Sequence, residues 1–211
     1  MSAVKESRED LSNKNGKSGL TLRFRLLGLA PLLFFTAHLL FYLSDPVYAS
    51  THGVENMLWM CNVSNLLLAA GLLFDLPRVI RLAVFWLIPG LPIWLFDAFL
   101  RGGLLFTSFL THIGGLAVGL IAMRRVRADK WSWLYALAWY LGIQQLSRLF
   151  TSEYWNVNVA HKMYQGYESV VSHYWQFWLL TSLMIAIGLC VIGFMLIKLF
   201  PPRAASPGAR R

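Results

Sequence analysis

Charge is scarce in this sequence. Only 14% of its 211 residues are Asp, Glu, Lys or Arg, where an ordinary soluble domain carries about a quarter. Cysteine is almost absent. Cys61 and Cys190 alone give neither a disulfide framework nor metal-ligand spacing. Two of the outer histidines, His161 and His173, have Glu153 and Glu168 in the same stretch, but no tight His/Glu spacing that would hold a metal. There is no internal repeat, and no Gly-x-Ser-Gly of a serine protease, although "THIGGLAVGL" looks like the last catalytic helix of the rhomboid proteases. These gaps exclude an ordinary soluble fold, a disulfide scaffold and a solenoid, and no cofactor or metal is expected.

What the chain has instead is apolar length. Hydrophobic residues make up 57% of it, with nine Trp and eight Tyr to occupy two membrane–water interfaces. At bilayer length, about 20 residues, six spans can be drawn: 25–43, 56–74, 82–100, 104–123, 131–150 and 175–198. The expected fold is all-α, a polytopic six-helix bundle. Its membrane domain covers 23–200, between disordered tails at 1–22 and 201–211. Span three is interrupted by Pro89, Gly90 and Pro92, which neighbouring helices can tolerate. Gly102 and Gly103 leave room for only a tight turn before span four.

The positive charges fall on one side of this scheme. Lys5, Arg8, Lys14, Lys17, Arg23, Arg25, Arg78, Arg81, Arg124, Arg125, Arg127, Lys130, Lys198, Arg203, Arg210 and Arg211 make sixteen; Arg101, Arg148 and Lys162 make three on the other. That asymmetry predicts both termini in the cytoplasm of a cell-membrane protein. It also accounts for the net charge of +9, so no nucleic-acid partner is needed; membrane lipids are the expected partners. The charged start, apolar run and "VYAS" look like a signal peptide. The leading segment and the run are both too long for one, so the first helix is expected to stay attached.

Polar residues interrupt the spans at similar depth. At 1.5 Å per residue, Cys61, His38, Gln144, Gln145, Thr181 and Ser182 lie about 10 Å from the outer boundary and His112 about 13 Å. Asp97, Arg101 and Arg148 lie nearer the outer surface. An amide facing hydrocarbon costs several kcal/mol, so Asn62 and Asn65 are expected to share a cavity with His38, Gln144, Gln145 and Arg148. Cys61 and Asn65, four apart, share a helix face. A Cys and a His at one depth can form a thiolate–imidazole pair, with a third group, Asp97, to orient the base. Each residue also has a structural reading. Asn62 and Asn65 would be interhelical glue, Asp97 and Arg101 an i,i+4 ion pair, and Arg148 a snorkelling cation. His112 would be a hydrogen-bonded core residue beside a small-residue face at Gly115 and Gly119, and Cys190 a small core hydrophobe.

The succession "WMCNVSNLLLAAGLL", "FWLIPGLPIWLFDAF", "FLTHIGGLAVGL" resembles the YwaF-like integral membrane proteins over residues 56–175, about three-fifths of the chain. Relatives of that family include a Cys-dependent ether-phospholipid acyltransferase, and the androgen-induced-gene lipid hydrolases look distantly similar. The resemblance implies a lipid acyltransferase or hydrolase with Cys61 as nucleophile and His112 as base. Asn62 stands where the family pattern has an acid. Residues 151–174, rich in Tyr and Trp, read as an interfacial lid over the mouth. Two other classes remain: a small transporter or channel with a solute site in the same layer, suggested by the broken third span, and a haem or quinone protein using His38 and His112.

Overall fold

The computed structural model describes residues 20–101 and 105–202. The Gly102–Gly103 turn, the side chain of Arg101 and all but the inner ends of both tails lie outside the described residues. Among the described residues there is no strand. The long helices are α1 (Leu22–Ser44, with a turn at its Leu27–Gly28 joint), α3 (Met60–Leu73), α4 (Pro77–Arg101), α5 (Phe106–Val126), α6 (Ser132–Phe150) and α7 (Tyr174–Leu199). A short helix, α2 (Pro46–Ser50), and a 3₁₀ turn (Gly53–Leu58) join α1 to α3. Asp45 starts α2 by accepting from the N–H groups of Val47 and Tyr48, with Pro46 in the first position, where a missing N–H costs nothing.

Among the described residues, four helices are long and apolar enough to cross a membrane: α1, α4, α5 and α7. The described fold is all-helical, with these four as its candidate membrane spans. The other two expected spans are different in kind. α3 has 14 residues, about 21 Å of rise, short of a bilayer core of about 30 Å. It starts at Met60 and not at Asn56. The Asn56 side chain bonds the Gly53 carbonyl, and the Trp59 indole bonds Asn56, which holds the preceding residues in a 3₁₀ turn. α6 has the length, 19 residues, but carries Gln144, Gln145, Ser147 and Arg148 in its last two turns.

Span three is present as a helix, and the interruption expected within it is a correction. α4 runs unbroken for 25 residues through Pro89, Gly90 and Pro92. The two prolines leave the carbonyls of Phe85 and Ile88 without their i+4 donors, but packing on both sides holds the helix together. α4 is the centre of the bundle. Its Val84, Phe85 and Trp86 join Met60, Met123, Tyr140 and Leu189 in one core, and its Ile80, Ala83 and Leu87 join Leu68, Leu72 and Ala122 in another. The Trp86 ring stacks on Tyr140, and its N–H donates to the Ala136 carbonyl. Between helices in lipid such contacts act by close packing, because lipid tails are as apolar as Leu. α7 lies outermost and buries only a narrow stripe, Phe177, Leu189, Gly193 and Leu196. Cys190 falls off that stripe and is exposed, so it is not the core residue expected.

Candidate active site

The expected pair does converge, across a glycine. A Cβ built on Gly90 would sit 3.2 Å from Cys61 Cβ and 4.0 Å from His112 Cδ2. One methyl group would touch both side chains. The apparent helix break at Gly90 is thus a gap between α3 and α5, opened on the face of α4.

Cys61 is the second residue of α3 and partly exposed. It stands in the first turn of α3, at the end of a helix whose dipole is positive. The first N–H of α3, that of Met60, is capped from far along the chain: it donates 3.1 Å to Asn158 Oδ1.

His112 sits in the middle of a π-helical turn, Leu110–Gly114, inside α5. Such turns are rare and frequent at functional sites. Its Nδ1 lies 2.8 Å from the Ser108 carbonyl. A carbonyl only accepts, so Nδ1 carries the proton and the neutral ring keeps its lone pair on Nε2. The hydroxyls of Thr111 and Ser108 lie 3.3 and 3.5 Å from the same nitrogen. Trp94 stacks on the imidazole at 4.9 Å between centroids and 11° between planes. The ring is therefore fixed in plane and tautomer, and buried. The thiol and imidazole are not hydrogen-bonded to each other here; such bonds often tighten only once substrate is bound.

The remaining polar residues divide into separate groups. His38, buried on α1, bonds Thr107 at 2.9 Å and meets Tyr42 edge-on. Asn65 donates to the carbonyls of Cys61 and Thr111, both at 2.9 Å, and so ties α3 to α5. Its Oδ1 would lie 2.2 Å from a Cβ on Gly115, so only a glycine hydrogen fits there. Asn62 donates to the Asn56 carbonyl and steadies the 3₁₀ turn. Asn62 Oδ1, Asn65 Oδ1 and Ser64 Oγ are buried without a hydrogen-bond partner among the described residues.

Gln144 belongs to a different knot. It bonds Tyr140 OH, the Asn158 carbonyl and the Trp178 indole. Asn158 also donates to the Leu58 carbonyl and Ser147 Oγ. Gln145 points outward and is exposed. Arg148 donates to the Ala160 carbonyl and lies over the Tyr174 ring. Gln145 and Arg148 therefore do not line a cavity with Cys61, contrary to expectation. Asp97 is exposed on α4, and the group that orients His112 is the Ser108 carbonyl.

The segment 151–174 is built rather than draped. Val157, Asn158 and Ala160 are buried, and left-handed backbone at Asn156, Asn158 and Val159 folds them inward. Trp155 donates to the Thr51 carbonyl, and Glu55 accepts from the backbone and hydroxyl of Ser152. Glu153 and Tyr154 stay exposed, as does the run Tyr164–Val170. No group of His, Cys, Asp or Glu among the described residues has metal-binding geometry.

Nothing in the sequence singles out Trp94, Ser108 or Asn158, and Gly90 reads there only as part of a helix break. "THIGG" marked His112, but only the π turn shows how it is aimed. No family model, curated protein or solved structure matches the chain.

Proposed function

We propose that this chain is a lipid-active acyltransferase or hydrolase, with Cys61 as nucleophile and His112 as base. The observation that carries the reading is the gap at Gly90. It brings a helix-start cysteine against a histidine whose Nδ1–H is anchored and whose lone pair is on Nε2. In the reaction, Sγ attacks an acyl ester carbonyl while Nε2 takes the thiol proton. The ester C–O bond breaks, and His112 returns the proton to the leaving alcohol. A second alcohol, or water, then attacks the thioester and restores the thiol. Of the first-turn amides of α3, that of Met60 is taken by Asn158 and those of Asn62 and Val63 by the Trp59 carbonyl, which leaves the Cys61 N–H as the donor to the developing oxyanion. The YwaF-like resemblance points to the same two residues.

The scheme places six crossings with both termini in the cytoplasm, α3 and α6 completing the bundle. In its support, Arg25, Arg78, Arg81, Arg124, Arg125, Arg127, Lys130 and Lys198 all belong to the helix ends joined by the Arg25–Leu73, Arg81–Arg127 and Ala128–Phe200 backbone ties. A reporter fused after Arg211 should behave as cytoplasmic and one inserted near Gly53 as external; an external C-terminus sinks the topology. The transporter reading loses its main support, because α4 is continuous. The haem or quinone reading has to contend with His38 held by Thr107 and His112 covered by Trp94.

The decisive experiment presents the reconstituted protein with phospholipid bearing a labelled acyl chain, quenches in acid, and weighs the intact protein. A hydroxylamine-sensitive acyl adduct on Cys61 is expected. It should be absent in Cys61→Ser and slower to form in His112→Ala. In Gly90→Ala a methyl fills the gap and should block it. An unlabelled wild type, with full biological activity in Cys61→Ser, overturns the enzyme reading.

A further inference from the structure

The basic end of the bundle carries a second site. Between the start of α4 and the start of α6 lies a cavity of about 140 Å³ lined by Arg78, Arg81, Asp129, Trp131, Ser132 and Tyr135. We propose that it binds the phosphate of an anionic membrane phospholipid.

The charges there do not balance. Arg81 is held in place, with Nε donating to the Arg127 carbonyl, Nη2 to the Val126 carbonyl, and Nη1 lying 3.7 Å from Asp129 Oδ2. The other Asp129 oxygen accepts the Trp131 N–H at the start of α6. The single carboxylate is thereby spent on Arg81 and on the helix end. Arg78 lies close enough to Arg81 for the two charges to repel, is exposed, and has no acid paired with it among the described residues. The positive ends of two long helices, α4 and α6, meet at the same cavity. An anion is what two guanidiniums, two helix starts and one carboxylate lack. A phosphate oxygen pair suits the planar donor fork of Arg.

A lipid is the source the surroundings favour. Trp131 and Tyr135 line the cavity yet are 52% and 55% exposed, as side chains at a membrane–water boundary are. Lys130 lies over the Trp131 ring at 5.3 Å, adding a third cation at the rim. The headgroup should carry no ammonium, which these cations would repel. Basic pockets between helices at the cytoplasmic side are a known place for such headgroups.

The test uses the purified full chain in neutral detergent micelles, titrated with dioleoyl phosphatidylglycerol, dioleoyl phosphatidylcholine or inorganic phosphate. Melting temperature and lipid retained in native mass spectrometry are read. Phosphatidylglycerol should stabilise saturably and phosphatidylcholine much less. Arg78→Gln should raise the half-saturating concentration about tenfold, the worth of one charge-assisted contact, with Arg78→Lys between. Arg124→Gln, at the same end but outside the cavity, should bind like wild type. Equal binding by Arg78→Gln and wild type overturns the site. So does equal loss in Arg124→Gln, which would mean diffuse attraction. Stabilisation by inorganic phosphate as strong as by phosphatidylglycerol overturns the lipid assignment.

Discussion

The two ends of this bundle are held by opposite chemistry. At the basic end, arginines reach across to backbone carbonyls: Arg25 to Leu73, and Arg81 to Val126 and Arg127. At the far end the buried ties are made by neutral amides, and charge keeps to the less buried rim, where Arg148 reaches the Ala160 carbonyl and Glu55 accepts from Ser152. Asn158 joins the start of α3 to Ser147 on α6, and Gln144 joins α6, α7 and the cap segment. The exposures explain the choice. Asn158 and Gln144 are 3% and 2% exposed, whereas the Arg81 and Asp129 side chains keep 17% and 40%. Where water reaches, a charge can be kept and can double as an orientation signal. In the dry end a charge would be too costly, and satisfied amides take over. The candidate active site is set against the dry end, with Asn158 bonded one residue before Cys61.

The largest effect should come from the dry end. Asn158→Ala removes three side-chain hydrogen bonds and leaves the Met60 N–H and Leu58 carbonyl unpaired. At 1–3 kcal/mol for an unsatisfied buried group, the expected loss is about 3 kcal/mol, read as thermal or denaturant unfolding in micelles. The start of α3 should also loosen, so a water-soluble thiol reagent should label Cys61 faster. Asn158→Ala melting like wild type would break the contrast between the ends.

Gln144→Leu should come next, at about 2 kcal/mol, because the buried Gln144 is the acceptor of the half-buried Trp178 indole and also a donor to the Asn158 carbonyl. Added salt should leave this loss unchanged. The basic end should behave otherwise. Asp129→Asn removes one half-exposed partner of Arg81 and should cost less than 1 kcal/mol. That cost should shrink in about 1 M salt, where the Debye length is only about 3 Å. A salt-independent Asp129 effect as large as that of Gln144 would erase the distinction.

Helix existence was legible from length and composition, because the spans must hide their own backbone groups in lipid. The helix ends were legible only where the signal is local, as at Asp45–Pro46. The start of α3 was not, since the residue capping it lies 98 positions away. Depth along the normal brought Gln144 and Gln145 together, but consecutive helix residues lie about 100° apart, and only Gln144 turns inward. At the site, Cys61 and His112 were legible as chemistry. Their apposition was not, because it depends on Gly90, where the sequence suggests a break and the structure has a gap. Arg148 and Asp97 were read by depth alone, which cannot tell a cavity wall from an outer surface.

The smallest effect should be at Cys190, and it separates the two thiols. Cys190 is exposed on α7, a helix that buries only a narrow stripe. Truncation there leaves no cavity and no orphaned donor, so Cys190→Ala should change stability by no more than about 0.5 kcal/mol. Its position within the most apolar span places it against lipid, where a charged reagent does not reach. A charged methanethiosulfonate should therefore leave Cys190 unlabelled, while a lipid-soluble maleimide reaches it. Cys61, in the first turn of α3 and across the Gly90 gap from His112, should be labelled at a rate that falls in His112→Ala and is unchanged in Cys190→Ala. Labelling of Cys61 that ignores His112 would leave the two thiols chemically alike, and the Gly90 gap would then be a packing feature and nothing more.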